Sequence, residues 1–137
     1  MRPIRVVRGD DHTLVRQGLV ALLVSSSIRV EGTAGDGREL VRKVLEIRPD
    51  IAVVDLSMPL LSGLEATQQI ARRIAPETRV LILSMFNDRE QIAQAHCRGA
   101  LGYLSKDDAP ERLIDAIETI SAGGGYFPPE IDGRANG

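Results

Sequence analysis

The chain has 137 residues, enough for one domain built around a single hydrophobic core. Hydrophobic residues make up 43% and charged residues 26%, with a formal net charge of -2. That excludes a disordered composition and argues against nucleic-acid binding through the phosphate backbone, which needs clustered Lys and Arg. No apolar run approaches the ~20 residues that span a bilayer, the amino terminus lacks a signal-peptide pattern, and a cytoplasmic location without membrane contact is expected.

Strand-like and helix-like segments alternate along the chain. Ile4-Arg5-Val6-Val7 reads as a strand, followed by a helix from about Leu14 to Val24 with Val15, Leu19 and Leu22 on one face. Ile28-Arg29-Val30-Glu31 is a short strand, and Gly32 is expected to end it. A helix from about Asp36 to Ile47 carries the stripe Leu40, Val41, Val44 and Leu45, and Pro49 stops it. The apolar run Ile51-Ala52-Val53-Val54 ends in Asp55 and reads as a strand buried on both faces. Ser62-Gly63-Leu64-Glu65 has the form of a capping box, and the helix behind it carries Ala66, Ile70 and Ile74. Arg79 to Ser84 is a fourth strand, and Asp88 to Cys97 a weaker helix ended by Gly99, with the lone Cys97 expected as a small buried thiol. Ala100 to Leu104 is a short fifth strand, and Pro110 suits the first turn of a last helix bearing Leu113, Ile114, Ile117 and Ile120. Past Gly123, Gly123-Gly124-Gly125 and Pro128-Pro129 read as a linker. The domain is therefore expected over residues 1–122, with 123–137 as a tail.

Strict βα alternation implies a parallel sheet with helices on both faces. In such a sheet the carboxyl ends of the strands gather along one edge, where open α/β folds bind their ligands. This collects Asp10, Asp11, Asp55, Ser84 and Lys106 from several strand ends. Carboxylates brought so close repel one another unless a cation neutralises them, and hard oxygen ligands favour Mg²⁺ or Mn²⁺. Lysine is a compact point charge suited to a phosphate oxygen, and the Ser84 hydroxyl can donate to another. Asp55 is the acid not adjacent to another in sequence, and a carboxylate can attack phosphorus to give an aspartyl phosphate. Singly, these residues suit a helix start, a turn cap or a solvated loop; their coincidence at successive strand ends is what points to a site.

These residues resemble the receiver domain of two-component response regulators, over most of the chain from Ile4 to about Ile120. Asp10-Asp11 resembles the acidic pair, Asp55-Leu56-Ser57-Met58-Pro59 the phosphoacceptor segment, Ser84 the switch hydroxyl and Lys106 the invariant lysine. Asp11-His12-Thr13-Leu14-Val15-Arg16-Gln17-Gly18-Leu19, Lys106-Asp107 and Gly125-Tyr126-Phe127-Pro128-Pro129-Glu130 are similar to the NarL/FixJ subgroup, which carries a LuxR-type helix-turn-helix after the receiver. The resemblance implies a flavodoxin-like (CheY-like), doubly wound five-stranded sheet in the order 2-1-3-4-5. It implies Mg²⁺ (or Mn²⁺) held directly by Asp11, Asp55 and the backbone carbonyl of Ser57, and by Asp10 through water. It implies a sensor histidine kinase as phosphoryl donor, and a domain that catalyses its own phosphorylation without being a conventional enzyme. Ser84 would then move towards the phosphate and Tyr103 would swing inward. That remodels the face of the fourth helix, fifth strand and fifth helix, the family's dimer or effector surface. DNA would be reached only through a C-terminal domain absent from this chain.

Arg8 departs from the family pattern, which is aliphatic there. One reading has its guanidinium reach the acidic cluster and compete with the metal; the other ends the first strand early and leaves Arg8 in solvent. Ser57 and Phe86, each two residues past a pocket residue, are expected to control water access. Gly32-Thr33-Ala34-Gly35-Asp36-Gly37 lacks the order of a dinucleotide loop. The main alternative is a receiver-like interaction module independent of phosphorylation. A small aspartyl-phosphate phosphatase is a third reading, disfavoured because Asp55-Leu56-Ser57 lacks a second acid.

Overall fold

The structure, a computed structural model, describes residues 3–9, 27–56, 62–74, 77–85, 88–105 and 107–128. Its five strands are β1 (Ile4–Gly9), β2 (Ile28–Ala34), β3 (Ile51–Asp55), β4 (Arg79–Ser84) and β5 (Gly102–Ser105). All pair in parallel, in the order β2-β1-β3-β4-β5. The chain thus winds outward from β1 to β2 and then crosses to β3 on the other side. Strand order reverses between β1 and β3, so the carboxyl ends of these two strands flank a crevice.

Period-two alternation sends the strand side chains into two cores. Val7, Ala52, Val54, Val80, Ile82 and Tyr103 face one side of the sheet, and Val6, Ile51, Val53, Leu81, Leu83 and Leu104 the other. The first side is covered by α1 (Gly37–Ile47), α2 (Gly63–Gln69, closing in a π-helical turn over Ile70–Ile74) and α3 (Arg89–Cys97). The second is covered by α4 (Ala109–Ser121) through Leu113, Ala116, Ile117 and Ile120. The helix read between Leu14 and Val24 lies outside the described residues. β3 is buried at every position, which is why it reads as a continuous apolar run.

The helix starts follow the capping signals. Asp36 accepts from the Glu39 N–H (2.8 Å) while Glu39 accepts from the Gly35 N–H (2.9 Å), and Ser62 accepts from the Glu65 N–H (3.1 Å). Arg48 ends α1 in the left-handed conformation (φ 54°) just ahead of Pro49.

Four local expectations are corrected. Gly32 does not end β2: Val6 pairs with Val30 and Val7 with Gly32, so Glu31 is the extra residue of a bulge and the strand continues to Ala34. A Cβ on Gly32 would stand 2.9 Å from the Ile47 side chain, so the glycine serves the packing of α1 on the sheet. Leu45 is 46% exposed, because it lies five residues, about 140° of helix, from Leu40 at the centre of the buried stripe. Cys97 is exposed: it closes α3 two residues after buried Ala95, on the opposite side of the helix. β5 begins at Gly102 rather than Ala100.

Residues 124–128, beyond the boundary read from the sequence, return to the sheet. Tyr126 forms a parallel bridge with Gly102, its carbonyl accepting from the Tyr103 N–H (2.8 Å) and its N–H donating to the Leu101 carbonyl (3.0 Å). The Phe127 ring meets His96 of α3 edge-on at 5.2 Å. This covers the outer edge of β5, which is otherwise a row of open backbone groups. Gly102 is where strand, helix and tail converge: a Cβ there would stand 2.6 Å from Ile120 Cδ1, 2.7 Å from Leu81 Cδ1 and 3.1 Å from the Tyr126 carbonyl. Gly102→Ala is therefore expected to destabilise the domain by about 1–3 kcal/mol through overpacking, read as a lower urea midpoint.

Candidate functional site

Asp55 is the last residue of β3, level with Leu83 of β4, and only 1% exposed. Leu56 extends the pairing one step by donating to the Leu83 carbonyl (3.1 Å). The start of α2 presses on this point. A Cβ on Gly63 would lie 2.8 Å from Leu56 Cα and 3.0 Å from the Asp55 carbonyl oxygen. Gly63 thus lets the helix close over the end of β3, a function that the capping motif alone does not reveal.

Arg8 belongs to β1, which runs on to Gly9, so the strand does not end before it. It pairs with Val53 on one side and Thr33 on the other, is half-buried, and has its Nε buried. Paired residues in adjacent parallel strands point to the same face. Arg8 therefore shares the face of Val53 and stands one pleat, roughly 6.6 Å, before the level of Asp55. Among the other expected site residues, Asp10, Asp11, Ser57, Phe86 and Lys106 lie outside the described residues.

Ser84 and Tyr103 stand on the opposite face. Ser84 ends β4, Tyr103 pairs with Ile82 two residues earlier on that strand, and both are buried. The sequence reading has Tyr103 swing into the interior on phosphorylation; the structure has it inside, fully buried, for a reason that reading missed. Gln91 of α3 accepts through one atom, Oε1, from the Tyr103 hydroxyl (2.8 Å) and the Ser84 hydroxyl (3.1 Å). The signal was available: Gln91 is four residues before buried Ala95, a polar side chain at a core-facing position of α3. Asp88 caps the same helix, accepting from the Glu90 N–H (2.9 Å).

Comparison with known proteins fits this geometry. The model of the response regulator receiver domain matches residues 6–118. The chain belongs to that family. Curated relatives include the transcriptional regulatory protein LnrK of Bacillus subtilis, 38% identical over 93% of this chain and 58% of its own length. Another is the oxygen regulatory protein NreC of Staphylococcus epidermidis, 43% identical over 93% of this chain and 59% of its own length. The chain thus spans about three fifths of these relatives. Among solved structures, the signal receiver domain of a NarL response regulator from Mycobacterium tuberculosis superposes with a TM-score of 0.84 at 34% identity, covering 90% of this chain and 99% of that one. A LuxR-family two-component response regulator from Aurantimonas sp. SI85-9A1 gives a TM-score of 0.85 at 35% identity, covering 96% and 94%. The receiver is accordingly of the NarL/LuxR type, and its sheet order 2-1-3-4-5 is the receiver fold. Among the described residues no helix is long and apolar enough to cross a membrane.

Burial pushes the Tyr103 phenol above its ordinary value of 10.0; the hydrogen bond with Ser84 opposes this and the charge of Asp88 adds to it. In the folded chain Tyr103 therefore keeps its proton to higher pH than in the unfolded one. Its contribution to stability is complete below pH 10.0 and is lost as pH rises through the raised folded value. Tyr103→Phe is expected to flatten the alkaline fall in urea midpoint, and parallel falls in both proteins would assign it to other groups.

Proposed function

We propose that this chain accepts a phosphoryl group on Asp55 from a sensor histidine kinase in a Mg²⁺-dependent reaction. The surface of α3, β5 and α4 then passes the change to a transcriptional output, carried by a C-terminal DNA-binding domain outside this chain. The receiver read over residues 1–122 also takes in the segment at 124–128 that pairs with β5, and the rest of 123–137 leads towards that domain. A phosphorylation-dependent homodimer and a cytoplasmic setting belong to the same reading. The observation that carries it is the buried carboxylate of Asp55, ending a doubly covered strand where strand order reverses, with the Ser84 hydroxyl at the end of the neighbouring strand.

A buried carboxylate is a hard oxygen donor, so the described part of the donor set suits a hard divalent cation. Asp55, Asp11, the Ser57 carbonyl and Asp10 would hold it. Bound Mg²⁺ supplies positive charge to the crowded acids and the phosphoryl oxygens. An Asp55 carboxylate oxygen attacks phosphorus as the P–N bond of the donor phosphohistidine breaks, the electron pair leaving with the imidazole, which takes up a proton. Lys106 and Ser84 offer a point charge and a hydrogen bond to equatorial oxygens, where the transition state gathers negative charge. The new dianion then biases a two-state surface. The chain acts on itself alone and turns over no external substrate.

Incubation with Mg²⁺ and acetyl phosphate, followed by intact-mass measurement, is expected to give one phosphoryl adduct that Asp55→Asn loses. No adduct on the unmodified chain would favour the phosphorylation-independent module, and turnover of unrelated phosphate esters would favour the phosphatase.

One observation favours the module: Arg8 is a half-buried cation within the sheet, on the face that leads to Asp55. A fixed positive charge there competes with a metal for the same carboxylates. Arg8→Leu is expected to tighten Mg²⁺ binding on the order of tenfold by calorimetric titration. Equal affinities would remove the competition.

A further inference from the structure

We propose that Gln91 is a positioning residue of the switch: its Oε1 holds Tyr103 in its buried position and competes with the phosphoryl group for the hydroxyl proton of Ser84. The two halves rest on different ground. The hold on Tyr103 stands on the geometry alone, whereas the competition for Ser84 rests on phosphorylation of Asp55 as proposed above.

Gln91 lies in the first turn of α3, beside the Asp88 cap. Its amide oxygen has two lone pairs, and the two hydroxyls of Tyr103 and Ser84 occupy both. A buried phenol is disfavoured unless its hydroxyl has an acceptor, and Gln91 supplies one from within the chain. The inward position of Tyr103 therefore draws on α3 and does not depend on a phosphoryl group. Serine is more constrained: its hydroxyl has a single proton, which the hydrogen bonds to Gln91 and with Tyr103 already share. Donating that proton to a phosphoryl oxygen on Asp55 withdraws it from Gln91. Phosphorylation then removes one of two hydrogen bonds at the start of α3 and leaves the other, which makes this helix the element that registers the event. The bond to Tyr103 uses the tyrosine's own proton, which the phosphoryl group does not take from it, so the tyrosine is the partner that Gln91 keeps.

The test uses the full 137-residue chain labelled with 3-fluorotyrosine. Tyr103 and Tyr126 are its two tyrosines, so the fluorine spectrum has two resonances, and Tyr103→Phe assigns them. Gln91→Leu removes the acceptor at similar bulk. Gln91→Glu keeps an acceptor oxygen, and Gln91→Ile serves as a second variant without an acceptor at this position should Gln91→Leu fold poorly.

In the variants that lose the Gln91 acceptor but keep the hydrogen bond with Ser84, the Tyr103 resonance is expected to move towards that of free fluorotyrosine and to broaden with a soluble paramagnetic probe. In Gln91→Glu it is expected to stay shielded, a rescue that a purely space-filling role would not produce. The acetyl phosphate reaction at Asp55 is expected to run about fivefold faster in Gln91→Leu, the factor corresponding to one neutral hydrogen bond released from Ser84. A Tyr103 resonance that remains shielded in the variants without the Gln91 acceptor overturns the hold on the tyrosine. Equal phosphorylation rates overturn the competition for Ser84. Absence of any adduct on the unmodified chain removes the phosphoacceptor reading and the Ser84 half with it, while the fluorine spectra still decide the Tyr103 half.

Discussion

β3 runs through the sheet with both faces covered, and Asp55 is its last residue. That double burial is the constraint on which the rest depends. It requires apolar side chains at the four preceding positions, leaves the first polar group at the strand's carboxyl end, and holds it 1% exposed. A buried carboxylate has electrostatic demands that a solvated one lacks. The neighbouring strand ends and the start of α2 therefore become part of its chemistry. Gly63 belongs to this arrangement because only a residue without Cβ lets the helix close onto the Asp55 carbonyl.

The parity of the strands then divides the site. Arg8 and Val53 lie on the face backed by α4, whereas Ser84 and Tyr103 lie on the face that α3 covers. Asp55 ends the middle strand between them. The carboxyl edge of the sheet is therefore flanked on two sides: by the Arg8 cation one pleat back along β1, and by a pair of hydroxyls gathered on Gln91. The tail adds a third connection, since the Tyr126 carbonyl takes the N–H of Tyr103 itself. The backbone of the buried tyrosine is thus tied to the segment that follows the receiver, while its side chain is tied to α3.

Much of this was legible from local pattern. The five strands, their parallel arrangement, the cap at Ser62, and Asp55 and Ser84 at successive strand ends all follow from periodicity and turn chemistry, whereas Tyr103 enters only through the family resemblance. The misreadings share a physical origin. Glycine usually punctuates, so Gly32 reads as a stop, but here it makes room for Ile47 beside a bulge. Leu45 reads as part of the apolar stripe of its helix and Cys97 as a small buried thiol, and the angular position of each puts it outside. Arg8 stayed ambiguous because a charged residue near a strand's end can mark the end or sit within it, and hydrogen bonding to two neighbouring strands decides that.

The sequence by itself determined the alternation of elements, the two apolar stripes, the carboxylate at the end of the buried strand and the membership in the receiver family that its motifs announce. These depend on the order of residues along the chain and on periods of 2 and 3.6, which are local. The tertiary structure alone decided that Gln91 joins Ser84 to Tyr103, that Arg8 lies inside β1 level with Val53, and that Tyr126 returns to cover β5. Each of these is a meeting of side chains or backbone from different elements. Such meetings are set by strand register and by the way helices close over the sheet, and neither is written in any single stretch of the chain.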